Sequence, residues 1–304
     1  MYPCTNVELV AAVSNAGALG VVQPMSLVYV YRRDFGEGLA RIRDLTDKPF
    51  GVNLILEKTV RAYENRARLW LEQALAAGVR FFVTALGNPE WVVQRVHSGG
   101  GVVYHDVTER RWADKALRSN VDGLICVNRD AGGHAGTRSA TELYEELKDL
   151  DKPLVCAGGV GAPADFARML ALGYAGVQMG TRFIATAECA VHDDYKQAIV
   201  HARPEDVVLT DKLSGVPCAI IKTPYVARIG TEAGPLARWL LRGRRSKRLM
   251  RMWYGLQSLW KLRKAALRGT DYREYFQAGK SVGGIAAIEP AGEVVRRFAK
   301  AIIR

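Results

Sequence analysis

Asp130-Ala131-Gly132-Gly133-His134-Ala135-Gly136 sets one ionisable ring among three glycines, directly after the mostly apolar run Val121 to Val127. An imidazole titrates near neutrality and is the natural proton donor or acceptor at such a position. Its glycines suit a loop with unusual backbone angles, or one whose main chain approaches a ligand closely. Two further segments follow at the spacing of strand–helix units: Cys156-Ala157-Gly158-Gly159-Val160 and Gln178-Met179-Gly180-Thr181-Arg182-Phe183. Backbone N–H groups in such turns bind phosphate, and Thr181 can add a hydroxyl. No second His or Cys stands at metal spacing beside His134, so no metal site is expected. Neither a GxGxxG turn after the first strand nor a GxxxxGK[ST] loop occurs, which argues against a dinucleotide fold and a nucleotide-hydrolysing loop.

The elements that would carry these loops alternate between short apolar runs and amphipathic stretches, the pattern of repeated βα units. Strands are expected at Gly20 to Val22, Phe50 to Leu56, Phe81 to Thr84, Val102 to His105, Gly123 to Asn128, Leu154 to Ala157 and Gly176 to Met179. Helices are expected at Asn6 to Ala16, Val60 to Ala77, Pro89 to Ser98, Arg110 to Ser119, Ser139 to Lys148 and Ala162 to Leu172. Several helices run into a glycine and then a strand, as at Gly78 and Gly173. About seven strands precede Thr181, which predicts a TIM-type (β/α)₈ barrel whose first strand is missing from this chain. Active sites in such barrels lie at the C-terminal ends of the strands, with phosphate held by the loops after the last two. Beyond Thr186 the pattern changes. A helix at Ala187 to His201, a strand around Pro204 to Thr210 and a helix at Pro235 to Leu267 form an accessory helical or lid region, 187–280. A glycine-bearing loop at Ser281 to Ile285 and a terminal helix at Glu289 to Ile303 complete the barrel domain, 1–186 with 281–304.

The chain has 304 residues and is 49% apolar, ample for one large core. Cys4, Cys126, Cys156, Cys189 and Cys218 are scattered and form no CxxC pair, which predicts buried thiols in a reducing, cytoplasmic setting. No leader-like segment and no run of eighteen apolar residues is expected to enter a membrane. The net charge of +12 is concentrated: Arg238 to Arg268 holds eleven Lys or Arg and no acid. Arg244, Arg245, Lys247, Arg248, Arg251, Lys261, Arg263 and Lys264 interleave there with Trp253, Tyr254 and Trp260. Arg248, Arg251 and Met252 approximate one helical face, and Trp253, Leu256 and Trp260 another. The plain reading is a solvated helix resting its aromatics on the barrel. The stretch also admits contact with a membrane surface or an acyl carrier, a homodimer contact, or a substrate lid. Nucleic-acid binding is not expected, because the rest of the chain is nearly balanced in charge.

These segments resemble the nitronate monooxygenase (2-nitropropane dioxygenase) family of FMN-dependent TIM barrels, related to NADH:quinone reductases and flavin-dependent enoyl-ACP reductases. The likeness rests on Leu9 to Gly20, on Phe50-Gly51-Val52-Asn53-Leu54, and on Ala131 to Gly136. Ala157 to Val160 and Ala171 to Phe183 continue it. It implies an FMN oxidoreductase with His134 as the active-site histidine. It implies Gly158, Gly159, Gly180 and Thr181 as the phosphate grip, with Gly132 and Gly133 as backbone approaching the cofactor. Asn53 and Gln178 would stand near the isoalloxazine or ribityl chain. The implied reaction is oxidation of an alkyl nitronate with O₂ to a carbonyl compound and nitrite. The alternative is an NAD(P)H-dependent flavin reductase acting on a quinone or an enoyl thioester.

Three departures accompany the likeness. Relatives open with an apolar strand ending in Pro-Met; Met1 would be that methionine, its strand lost to a late start or a trimmed chain. Relatives often carry a lysine just before Val107, where this chain has Asp106. They often read AGQSxG near the C-terminus, where this chain has Ala278-Gly279-Lys280-Ser281-Val282-Gly283, which places Lys280 near the flavin. A cation there would stabilise reduced anionic flavin. Together these departures and the basic helix also allow a non-catalytic, membrane-peripheral binding protein that kept the barrel.

Overall fold

A computed structural model describes residues 1–56, 61–213, 216–232 and 246–302. Seven parallel strands form one sheet in sequence order: β1 (Gly20–Val22), β2 (Phe50–Ile55), β3 (Phe81–Ala85), β4 (Val102–Val107), β5 (Gly123–Val127), β6 (Leu154–Ala157) and β7 (Gly176–Gln178). The sheet curls through 240°, an incomplete (β/α)₈-type barrel. The outer edges of β1 and β7 bond to no further strand among the described residues. Near the β7 end, the Met1 sulfur lies 3.3 Å from where a Cβ on Gly180 would stand.

Helices cover the outer face: α1 (Val7–Asn15), α2 (Phe35–Leu45), α3 (Arg61–Ala76), α4 (Glu90–His97), α5 (Arg110–Leu117), α6 (Ala140–Leu147) and α7 (Pro163–Leu172). Their ends follow local chemistry. Ser139 and Glu142 close a reciprocal capping box at the start of α6. Pro163 opens α7, and Gly173, at φ +117°, ends it over the Tyr144 hydroxyl. The sequence reading does not include α2, where Gly36 and Gly38 dilute the helical pattern; Asp34 caps it by accepting from the Glu37 N–H.

Alternation along each strand divides the core in two. One set of residues packs under the helices, with Val52, Phe82, Val103, Leu124 and Cys156 at 0–1% exposure. Each such fully buried side chain contributes roughly 1.5–3 kcal/mol. The other set fills the lumen: Val83, Ile125 and Ala157, with Val21, Phe81, Tyr104, Val127 and Val155 around them.

After β7 come α8 (Thr181–Ile184) and α9 (Asp193–His201). Residues 187–192 are not helical, contrary to the expected helix from Ala187. The Ala187 N–H goes to the Glu289 carbonyl and the His192 N–H to that of Ala266, tertiary bonds that replace helical ones. An antiparallel pair, β8 (Val207–Thr210) and β9 (Cys218–Ile221), precedes α10 (Pro224–Ile229), α11 (Ser246–Arg268) and α12 (Ala291–Lys300). Of the basic stretch, 238–245 and the side chains of 246–256 lie outside the described residues. This includes Arg244 and Arg245 and the faces expected of Arg248, Arg251, Met252, Trp253 and Leu256. Farther along α11, the Lys264 ammonium stands 3.8 Å from the centre of the half-exposed Trp260 ring. Among the described residues no helix is long and apolar enough to cross a membrane, and all five cysteines are buried and free.

Candidate functional site

The three glycine-bearing segments meet at the C-terminal ends of β5, β6 and β7, neighbours in the sheet. Asn128, fully buried after β5, ties the first two together. Its amide donates to the Gly158 carbonyl at 3.0 Å and lies 3.4 Å from the Cys156 sulfur, while its Oδ1 accepts from the Asp130 N–H at 2.8 Å. Gly158 has φ +116°, and a Cβ there would strike the Asn128 Oδ1 and come within 2.5 Å of the Ala131 nitrogen. Only glycine meets both demands.

The C-terminal segment 277–284 seals this side of the mouth. A Cβ on Gly132 would lie 2.9 Å from the Gly279 nitrogen, and one on Gly279 would lie 2.5 Å from the Asp130 carbonyl oxygen. What approaches Gly132 so closely is thus the chain's own returning segment. The Gly279 N–H donates to the Thr181 hydroxyl at 2.9 Å, and the Lys280 N–H to the Asp130 carbonyl at 2.9 Å. The Lys280 ammonium pairs with the Asp130 carboxylate at 3.5 Å, next to the Gly158–Gly159 turn. Gly133 exchanges backbone bonds with Ala219 of β9 in both directions. His134 follows directly, with an exposed side chain. Desolvation disfavours the imidazolium and lowers its pKa below the ordinary 6.5, which favours the neutral ring.

Asn53 and Gln178 share the lumen-facing set of their strands by alternation from Val83 and Ala157, their register partners. Asp106 shares it too, two residues beyond Tyr104, which packs on Phe81 with ring centres 5.2 Å apart. Its neighbour His105 points the opposite way, under the helices, where Nδ1 bonds the Thr84 hydroxyl at 2.8 Å. Burial drives the His105 pKa down to about 4. His105 and Thr84 were not singled out from sequence; the period-two pattern of Val103, His105 and Val107 carried the signal.

The donor set suits a phosphate. No acceptor among the described residues takes the N–H of Gly159, Val160, Gly180 or Thr181, which lie in two adjacent strand-end loops. A Cβ on Gly176, in the lumen, would meet nothing within 4 Å. Four main-chain donors in two adjacent strand-end loops fit the phosphate of a flavin mononucleotide. Among the described residues no group of three or more His, Cys, Asp and Glu is arranged to hold a metal.

Comparison with known proteins decides the family. The chain matches the nitronate monooxygenase family over residues 1–300. It belongs to that family. A curated relative from Rhodococcus jostii, named (3aS,4S,5R,7aS)-5-hydroxy-7a-methyl-1-oxo-octahydro-1H-indene-4-carboxyl-CoA dehydrogenase, is 31% identical over 72% of this chain. The protein of the same name from Mycobacterium tuberculosis is 30% identical over 76% of it. The aligned parts span only 60% and 63% of those two relatives. The structure of FabK from Thermotoga maritima superposes with a TM-score of 0.80 at 28% identity, covering 100% of this chain and 90% of that one.

Proposed function

We propose that the chain moves a hydride and a proton to or from the two carbons next to the carbonyl of an acyl thioester, with NAD(P)H or its oxidised form as second substrate. The observation that carries this reading is the identity, 30% and above, to two relatives named as dehydrogenases of a carboxyl-CoA. The site is compatible with it. Thioester chemistry of this kind needs a two-electron carrier and one proton-transferring group. FMN, held by the N–H groups of Gly159, Val160, Gly180 and Thr181, would supply the first. Asn53 and Gln178 would orient its ring from the lumen, and Lys280, neutralised in part by Asp130, would add positive charge at the rim.

His134 supplies the second. A neutral imidazole on a loop fixed by backbone bonds is ready to take a proton from the carbon beside the thioester carbonyl. In the reverse direction its protonated form returns it. Oxidation of alkyl nitronates with O₂, the reaction in the family's name, is the second reading; curated relatives with that name are 23–26% identical.

Anaerobic reduction of the flavin-loaded protein separates the two. Bleaching by NADH or NADPH, with colour restored by an enoyl-CoA, is the expected result. Bleaching by propionate 3-nitronate with no response to either nicotinamide overturns the thioester reading.

A further inference from the structure

Asp106 has no task in the proposed reaction. It lies on β4, one residue from the strand's end, on the face that lines the lumen. Below it on that face is Tyr104; beside it, across the β4–β5 register, is Ile125. Its Oδ1 is shut off from water and has no hydrogen-bond partner. A buried carboxylate oxygen with no donor is costly, on the order of several kcal/mol when ionised. Structural burial would have supplied a donor or an apolar residue.

The charges that face it are few. The Met1 amino group is the one facing group with a resolved charge effect: protonated, it favours the carboxylate, while burial lowers its own pKa. Burial first, and the carboxylate in smaller part, keep the thiol of Cys126, one position along the neighbouring strand, protonated. On the β3 side its nearest residues are Ala85 and Thr84, which bring no charge. Desolvation outweighs the Met1 ammonium and raises the Asp106 pKa from 3.8 to about 7. The carboxyl therefore changes charge near neutrality, inside the lumen over which the phosphate-binding loops open.

We propose that Asp106 sets the charge beneath the bound flavin and through it the flavin's reduction potential. This rests on the flavin site proposed above and deepens it. Protonated, the carboxyl offers an O–H to the lumen and leaves the electron-rich reduced ring unopposed. Ionised, it puts a negative charge under that ring and holds the potential down. The two effects are linked: added electron density on the ring raises the carboxyl's pKa, so reduction draws a proton onto Asp106. A lysine at this place would do the reverse and hold the potential up at every pH.

The test is a potentiometric titration of the FMN-loaded protein from about pH 6 to about pH 9, followed by its visible spectrum. Above neutrality one additional proton per two electrons steepens the fall of potential by about 30 mV per pH unit. The oxidised flavin spectrum should also shift as the carboxyl ionises. Asp106→Asn should abolish the extra slope and the spectral shift while keeping flavin bound. Asp106→Glu should keep both, displaced along the pH axis. Wild-type protein suffices to overturn the proposal: bound flavin whose slope and spectrum do not change through neutrality leaves no titrating group beneath it. So does an Asp106→Asn protein that titrates like wild type. A protein that takes up no flavin overturns the flavin site itself and this proposal with it.

Discussion

The two halves of the barrel mouth are built differently. On the β5–β7 side three loops are clamped by the returning segment 277–284, and the groups left facing outward are main-chain N–H donors. On the β2–β4 side the described residues show no such clamp. The lumen there receives side chains, Asn53 and Asp106, and the rim carries Leu86, 61% exposed. Main-chain donors held by tight packing make a rigid oxyanion grip that tolerates little change in the glycines. Side chains on strands make a surface whose chemistry can be retuned by single substitutions while the sheet stays as it is. In the proposed function, binding belongs to the first half and tuning to the second.

The sharpest way to break this contrast is at Gly158. Gly158→Ala forces a Cβ into the Asn128 side chain and the Ala131 backbone at φ +116°. We expect a stability loss of about 3 kcal/mol or more and loss of bound flavin, read by denaturant melts and visible absorbance. Gly176→Ala, whose Cβ meets nothing within 4 Å, should change stability by less than about 0.5 kcal/mol. Equal effects at the two positions would remove the distinction between clamped and open glycines.

His134→Asn comes next. Turnover should fall about a hundredfold or more, with flavin still bound, because the Gly133 backbone bonds that hold the loop remain. Unchanged turnover would take His134 out of the proton transfer.

On β4 the contrast becomes a pH effect. The folded-state pKa of His105 is depressed from 6.5 to about 4, so its neutral form is favoured in the native state. Its contribution, about 3 kcal/mol, is present above pH 6.5 and is lost as pH falls toward 4. Asp106 has the opposite sign: raised from 3.8 to about 7, its contribution is full below pH 3.8 and is lost as pH rises through 7. Denaturation of the His105→Gln variant should lack the acid-side loss.

The smallest effect is at Leu86, held at φ +62°. Leu86→Gly relieves that conformation but loosens the unfolded chain, a net gain of about 0.5 kcal/mol. A clear loss of stability would show that the Leu86 side chain is packed rather than displayed.

Much of this was legible in the sequence because strands here are short apolar runs bounded by glycine. Gly20, Gly51, Gly123 and Gly176 sit in or at the start of four of them, and seven strands result. The glycine loops were legible for the same reason. What the chain does after Thr186 was less so. The backbone of 187–192 is held by Glu289 and Ala266, about a hundred and about seventy-five residues away, which no local pattern encodes. The clamp on Gly132 and Gly161 by 279–284 was equally invisible, since its signature is closeness between glycines. That Asp106 faces the lumen follows from alternation with Tyr104; that its Oδ1 finds no donor does not.

The exchange of hydrogen bonds between Gly133 and Ala219 makes the histidine loop, in effect, a third rung of the β8–β9 ladder. Both bonds run between main-chain atoms, and Gly133 makes them at φ +73°, a backbone conformation that favours glycine. The Ala219 side chain takes no part in either. Proline at position 219, or an ester in place of that amide, would remove the shorter of the two bonds and loosen the loop that carries the imidazole.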